Sequence, residues 1–130
     1  MGARMMIVLA AMLVTGVILV AQNSNYTPDA TWKAPAAAAR KPNPLANKPG
    51  AAKKGKELFE AQCSMCHGMD GKGLSNAADL HLPVVQSQSD GTLFWKITTG
   101  HQHKGMPSFQ RLTDNERWQL VSYLRSFKGK

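Results

Sequence analysis

The stretch Cys63-Ser64-Met65-Cys66-His67 constrains the fold of this chain more than any other sequence feature. Its two cysteines are the only ones among 130 residues, so a framework of several disulfides is impossible. Hydrophobic residues make up 43% of the chain and charged residues 18%, which is typical of a folded domain rather than a wholly disordered chain. A small folded domain usually needs a metal, a disulfide or a cofactor to stabilise it.

The C-x-x-C-H spacing is the pattern by which c-type haem is attached to proteins. Two thiols three residues apart can reach the two vinyl groups on one side of the porphyrin and form thioethers. The adjacent His67 then projects toward the iron. We therefore predict one haem c, bound covalently through Cys63 and Cys66, with His67 as an iron ligand.

Other interpretations of the same residues remain open at this point. A thioredoxin-like redox disulfide would follow a strand in a βαβ unit, whereas here the motif ends a predicted helix. An inert Cys63–Cys66 disulfide would leave His67 unexplained. A zinc site would take both cysteines and two of the four histidines, which are His67, His81, His101 and His103.

The chain divides into three parts. Residues 5–21 carry no charge and follow Arg4, and their length lies between a signal-peptide core and a membrane span of about 17–25 residues. We predict that residues 1–21 are an N-terminal membrane anchor or a secretory signal peptide; a buried core helix is the third alternative. Either leading interpretation places the rest of the chain outside the cytoplasm, on the periplasmic face of the membrane or soluble in the periplasm.

Residues 22–49 contain five prolines and an alanine run, and no helical or strand period persists across them. This Pro/Ala-rich composition predicts a linker, which is either a tether for the domain or a plain spacer. Residues 50–130 are then the folded haem domain.

The domain is predicted to be all-α. Residues 51–62 place Leu58, Phe59 and Cys63 on one helical face. A second helix is predicted at residues 92–99, after Ser89-Asp90 and before Gly100. Thr113-Asp114-Asn115-Glu116 forms a capping box that opens a third helix with apolar residues at helical spacing, namely Leu120, Val121, Leu124 and Phe127.

Methionine sulfur is a common sixth ligand of haem iron in electron carriers. Met106 lies in a Gly105-Met106-Pro107 turn between two predicted helices, so we predict His67 and Met106 as the axial pair. Met65 and Met69 are too near the attachment site to cross the ring. His101 or His103 could replace Met106, and an open sixth position remains a further alternative.

These motifs resemble those of the class I, monohaem cytochromes c, over about residues 55–127. Gly55-x3-Phe59-x3-Cys63 is similar to the family's first helix, and Leu120-x-x-Tyr123 to its last helix. The resemblance implies a small cytochrome c fold of three to four helices around one haem. It also implies that the first and last helices cross closely, with Gly55 and Phe59 against Leu120 and Tyr123.

The resemblance assigns further haem-site residues. Trp118 and Trp95 would pack near the haem. Family members often have a proline whose carbonyl accepts a hydrogen bond from the proximal histidine, and the nearest match here is Pro83. The stretch from Ser89 to Trp95, followed by Gly105-Met106-Pro107, is similar to haem domains of bacterial respiratory subunits.

The predicted function is one-electron transfer rather than catalysis, because no acid–base pair or nucleophile surrounds the motif. The partners would be redox proteins, namely a respiratory reductase, dehydrogenase or oxidase. The chain would act as a tethered carrier or as a fixed subunit of a membrane complex; the alternative is a haem sensor or small peroxidase. The net charge of +8 alone would permit a nucleic-acid partner, but none is expected in that compartment.

Overall fold

The structure, a computed structural model, describes residues 26–130, and in that range it is helical. Three helices of 10 to 12 residues carry the fold: α2 (Ala51–Gln62), α5 (Asp90–Thr99) and α6 (Asp114–Arg125). Three helices of four residues accompany them: α1 (Ala36–Ala39), α3 (Ser64–His67) and α4 (Pro83–Gln86). A 3₁₀ turn covers Gln102–Lys104, and the described residues contain a single isolated β-bridge, between His101 and Met106.

Side-chain caps explain where the longer helices begin. Ser89 accepts a hydrogen bond from the backbone N–H of Thr92 at the start of α5. At the start of α6, Thr113 accepts from the backbone N–H of Glu116, while the Glu116 carboxylate accepts from the backbone N–H of Thr113. These hydrogen bonds from Thr113 lower the pKa of Glu116. The predicted capping box and the predicted helix start are therefore confirmed.

Helices α2 and α6 cross at Gly55. A Cβ atom at this position would lie 1.9 Å from the carbonyl oxygen of Gln119 and 2.9 Å from Cβ of Tyr123, so only glycine permits the approach. One turn later the ring of Phe59 meets that of Tyr123 edge-on, with 5.3 Å between centroids. The contact that the resemblance implied between the first and last helices is confirmed.

The core lies between these two helices and α5. Phe59 and Leu120 are each 1% exposed, and they pack in one cluster with Leu93, Ile97 and other buried side chains. Burial of one such side chain contributes about 1.5–3 kcal/mol. The cluster continues to Leu80 and Phe109, which lie in the segments that follow the haem motif and Met106. The core therefore fixes the positions of both segments that carry predicted iron ligands.

Residues 26–49 pack against the domain over much of their length, which differs from the expectation of a segment without regular structure. Helix α1 lies so close to α5 that a Cβ on Gly91 would be 2.1 Å from the carbonyl oxygen of Ala38. Ser89 donates to the carbonyl of Ala39 at 2.7 Å, and buried Asn43 donates to Ser122 of α6 at 3.0 Å. The prolines of this segment do not prevent these contacts, because the four-residue helix α1 fits between Pro35 and Pro42.

No helix within residues 26–130 has both the length and the apolar character needed to cross a membrane. The apolar run at residues 5–21, on which the predicted anchor or signal peptide depends, lies outside the described residues. The anchor and signal interpretations therefore stay predictions.

Candidate haem-attachment site

Cys63 stands at the junction of α2 and α3. Its N–H donates to the carbonyl of Phe59, and its own carbonyl accepts from the N–H groups of Cys66 and His67 at 3.2 and 3.0 Å. The helical path thus continues through the motif and brings both thiols and the imidazole onto one short stretch. Cys63 is half-buried and Cys66 is exposed, and they form no disulfide with each other. This arrangement suits two thioether bonds along one edge of a porphyrin.

The two thiols differ in their surroundings. Burial, and secondarily the neighbouring Cys66, raise the pKa of Cys63 to about 12. The Cys63 sulfur is therefore held as a neutral thiol at physiological pH, because an apolar environment disfavours the thiolate. A neutral, half-buried thiol at the end of α2 is placed to face an apolar macrocycle rather than solvent.

The imidazole of His67 is oriented by a backbone carbonyl. Its Nδ1 lies 3.0 Å from the carbonyl oxygen of Ala78 and donates to it, which leaves Nε2 with a free lone pair. Burial lowers the pKa of His67, against the opposing effect of the hydrogen bond to Ala78, so the ring stays neutral as a metal ligand requires. A neutral imidazole of fixed tautomer is the form that binds haem iron.

The role assigned to Pro83 was wrong. The acceptor of the His67 hydrogen bond is Ala78, whereas Pro83 is exposed and occupies the first position of α4. Any residue supplies a backbone carbonyl, so no residue type marks the acceptor in the sequence. The loop after His67 sets the acceptor instead, through the bond from the Gly73 N–H to the His67 carbonyl at 2.8 Å and that from the Leu74 N–H to the Cys66 carbonyl at 2.8 Å.

Met106 is half-buried and packs against the core cluster. Its backbone pairs with that of His101 in both directions, at 2.9 and 3.1 Å, and this pair closes the 3₁₀ turn between them. Gly105 has a φ of 87°, a left-handed conformation that favours glycine, and so it permits the tight return of the chain. Met106 therefore lies at the end of a loop that its backbone hydrogen bonds with His101 close.

The two rival histidines are placed differently from Met106. The ring of His101 stacks on Trp32 with 4.4 Å between centroids, and its Nε2 lies 3.1 Å from the carboxylate of Asp29. His103 is exposed. His81 is half-buried: its Nδ1 lies 2.9 Å from the Asp79 carboxylate and its ring packs on Phe127.

The structure does not favour the zinc interpretation. Among residues 26–130 no three or more side chains of His, Cys, Asp or Glu come together in a group that could hold a metal ion. The donors that are present, two thiols beside one oriented imidazole and a methionine on a separate loop, are the set that a haem c requires. The described residues therefore fit covalent haem.

The aromatic residues near the site are only partly those expected. Buried Trp118 stacks on Phe94, with 4.0 Å between ring centroids, and its haem contact stays a prediction. Trp95 is half-buried, and its haem contact stays a prediction.

Two contacts were not predicted from the sequence. The Ala78 carbonyl accepts from His67 by virtue of its position, which no residue type marks. The ring of Trp32 stacks on His101, although Trp32 lies in the segment that was predicted to be a linker.

Comparison with known proteins agrees with this site. The family described as cytochrome c oxidase, cbb3-type, subunit III matches residues 50–124, more than half of the chain. The chain is a c-type cytochrome of this family. Its resemblance to bacterial respiratory subunits is thus confirmed at the level of the family, and haem c is the cofactor that the family implies.

Individual relatives of this cytochrome point the same way. The cytochrome bc1 complex cytochrome c subunit of Corynebacterium diphtheriae is 25% identical over 75 residues, which make up 58% of this chain and 27% of that protein. Cytochrome cL of Methylophaga aminisulfidivorans superimposes with a TM-score of 0.57 at 27% identity, over 65% of this chain and 58% of that one. The c-type cytochrome KustC0563 gives a TM-score of 0.52 at 30% identity, over 57% and 96% respectively.

Proposed function

We propose that this cytochrome carries single electrons between respiratory partners outside the cytoplasm, with His67 and Met106 as the axial ligands of its haem. The observation that carries the proposal is the state of the three candidate ligands for the sixth position. Met106 lies half-buried on a closed loop, His101 is engaged by Asp29 and Trp32, and His103 faces solvent. Methionine is therefore the side chain available to the iron.

When bound, the haem supplies a centre that accepts and releases one electron at a time. The residues of the chain keep that centre in one ligation state. The bond from His67 to Ala78 holds the imidazole in a single tautomer and orientation. The bridge between His101 and Met106 holds the loop that carries the sulfur. A six-coordinate iron leaves no position for a substrate, which disfavours the sensor or peroxidase alternative.

A partner-docking face surrounds the exposed Cys66. Met65 is 88% exposed, Met69 62% and Leu74 54%, and the Leu74 N–H donates to the Cys66 carbonyl. Exposed apolar side chains that cluster in this way mark protein interaction sites. These exposed side chains beside Cys66 support a redox protein as the partner.

The cellular setting remains part of the proposal. A charge-free run at residues 5–21 supports an anchor in the cytoplasmic membrane or a cleaved signal, and the matched relatives support a respiratory complex. The mass of the mature protein tests the first point, because it reports both one attached haem per chain and the presence of residues 1–21. Co-purification with other haem subunits in detergent would support a fixed subunit, and a free monomer would support a carrier.

Substitution of Met106 tests the axial assignment. In the holoprotein Met106→Ala should abolish the weak far-red sulfur-to-Fe(III) band, lower the reduction potential and admit carbon monoxide to the reduced protein. His103→Ala is the matched control and should change none of these, because His103 is exposed. An unchanged spectrum in Met106→Ala, or rapid carbon monoxide binding by the native protein, would contradict His/Met ligation.

A further inference from the structure

A contact outside the family-matched residues 50–124 bears on the Met106 loop. Asp29 and Trp32, in the N-terminal segment of residues 26–49, together hold the side chain of His101. The His101 and Trp32 rings lie 4.4 Å apart at 17° between their planes, which is a stacked arrangement. The Nε2 of His101 donates to the Asp29 carboxylate at 3.1 Å. One imidazole is thus fixed at its face and at its edge.

The N-terminal contact is itself rigid. The Asp29 carboxylate accepts from the backbone N–H of Thr31 at 2.8 Å and from its hydroxyl at 2.6 Å, so the acid is held in a tight turn. The ammonium of Lys96, on α5, lies 4.3 Å from the centroid of the Trp32 ring. Further along, the Asn43–Ser122 bond fixes the same segment to α6. Trp32 is therefore held in place from two sides of the domain.

The backbone of His101 is hydrogen-bonded to that of Met106, so the contacts of the His101 side chain also constrain Met106. The two residues form both hydrogen bonds of the β-bridge, so a displacement of His101 moves the methionine with it. Gly105 lies between them, exposed and with nothing within 4 Å of where a Cβ would stand. The outer side of the loop at Gly105 thus has few packing contacts, whereas Met106 itself packs against the core and the side chain of His101 is held by Asp29 and Trp32.

We propose that Asp29 and Trp32 are positioning residues for the sixth ligand, acting through His101 to hold the Met106 loop closed over the haem. This inference rests on the proposed ligation by Met106. Its physical basis is the coupling of a stacked ring pair and an imidazole–carboxylate bond to the loop through His101, which adds to the packing of Met106 on the core. The buried Nε1 of Trp32 has no acceptor among the described residues, so the ring face is what connects it to the loop.

The rate of carbon monoxide association with the reduced holoprotein measures how often the loop opens. Trp32→Ala should raise this rate roughly two- to tenfold, the range expected from loss of one stacked pair. Trp32→Phe should restore most of the native rate because it keeps a ring face. Asp29→Asn should raise the rate less. Amide hydrogen exchange of residues 100–106 in the same variants should increase in the same order.

A double-mutant cycle tests whether Trp32 acts through His101. In a His101→Ala background, Trp32→Ala should have no further effect on the rate. Lys33→Ala, at an exposed position in the same segment, is the matched control and should behave as the native protein. Native rates in Trp32→Ala, or effects that add in the double variant, would overturn the inference. Absence of the far-red band in the native protein would instead overturn ligation by Met106, so the two failures are distinguishable.

Discussion

At the scale of single residues, Arg125 joins three parts of the chain. Its Nε donates to the Asp90 carboxylate at 2.6 Å, and its Nη1 donates to the carbonyl of Gln86 at 3.0 Å. The Nη2 group donates to the carbonyl of Gln88. Asp90 lies in the first turn of α5, where a carboxylate also suits the helix dipole. One guanidinium therefore ties the end of α6 to α4 and to the start of α5.

Arg125→Lys should destabilise the holoprotein by about 1–3 kcal/mol, because an ammonium cannot make three bonds in the fixed directions of the guanidinium. The free energy of unfolding from urea denaturation measures the effect. Arg111→Lys is the matched control: Arg111 is exposed and bonds to the side chain of Gln62. Equal and small effects of the two substitutions would show that the bonds of Arg125 are not structurally important.

Some residues of the haem site could be predicted from the sequence and others could not. Cys63, Cys66 and His67 were predictable candidates because covalent attachment requires those residue types at that spacing, and the thioether bonds stay a prediction. The acceptor of the His67 hydrogen bond was not predictable, because the Ala78 carbonyl acts through its position alone. Proline was a reasonable expectation from the resemblance, but the loop after His67 is tied to Gly71 by the Leu80 N–H at 2.8 Å and presents an earlier carbonyl.

At the scale of helices, the crossing of α2 and α6 depends on the missing side chain of Gly55. Gly55→Ala should lower the free energy of unfolding by about 1–3 kcal/mol or more, because a Cβ would overlap the Gln119 carbonyl and force the helices apart. Far-UV circular dichroism during urea denaturation of the holoprotein gives the measurement.

Gly129→Ala provides the comparison for that substitution. A Cβ there would have nothing within 4 Å, and only the left-handed φ of 77° opposes it, at a cost of about 1–2 kcal/mol. A loss in Gly55→Ala no greater than that in Gly129→Ala would argue against a tight crossing.

The long helices were predictable and the short ones were not, for a physical reason. Helices α5 and α6 begin at side-chain caps that are visible in the sequence, and α2 ends at the motif. Helices α1, α3 and α4 have four residues each and no side-chain cap bond. Such helices form because tertiary contacts hold them, so the sequence around them carries little signal.

At the scale of the whole molecule, charge near the haem motif is less than the sequence indicates. Lysines 53, 54, 56, 72 and 104 flank the haem motif and the methionine loop in the sequence, a pattern that predicts a basic rim able to steer an acidic partner. In the structure Lys54 pairs with Glu57 at 3.4 Å and Lys56 with Glu60 at 3.7 Å. Exposed Lys53, Lys72 and Lys104 make no ion pair within residues 26–130, and Lys72 and Lys104 lie in sequence beside the motif and beside Met106, so they are the rim residues to test.

Oxidation of the reduced holoprotein by the hexacyanoferrate(III) anion reports this local charge. The second-order rate should fall as salt rises, because screening shortens the Debye length to about 10 Å at 0.1 M. Replacing both Lys72 and Lys104 with glutamine should flatten that dependence. Lys128→Gln, near the chain end, is the control and should retain the native salt dependence. A native rate that does not vary with salt would remove the rim from consideration.

The close crossing of α2 and α6 also bears on the order of events during synthesis. Helix α2 leads directly into the haem motif, but the surface that covers it belongs to the last helix of the fold. A chain made from its N-terminus presents Cys63 and Cys66 well before residues 114–125 exist. Until then neither α2 nor its thiols can be enclosed, because contacts of such long sequence separation form late. The topology therefore delays closure of the core-facing surface of α2, which leads into the motif, until residues 114–125 have been made and have packed on it.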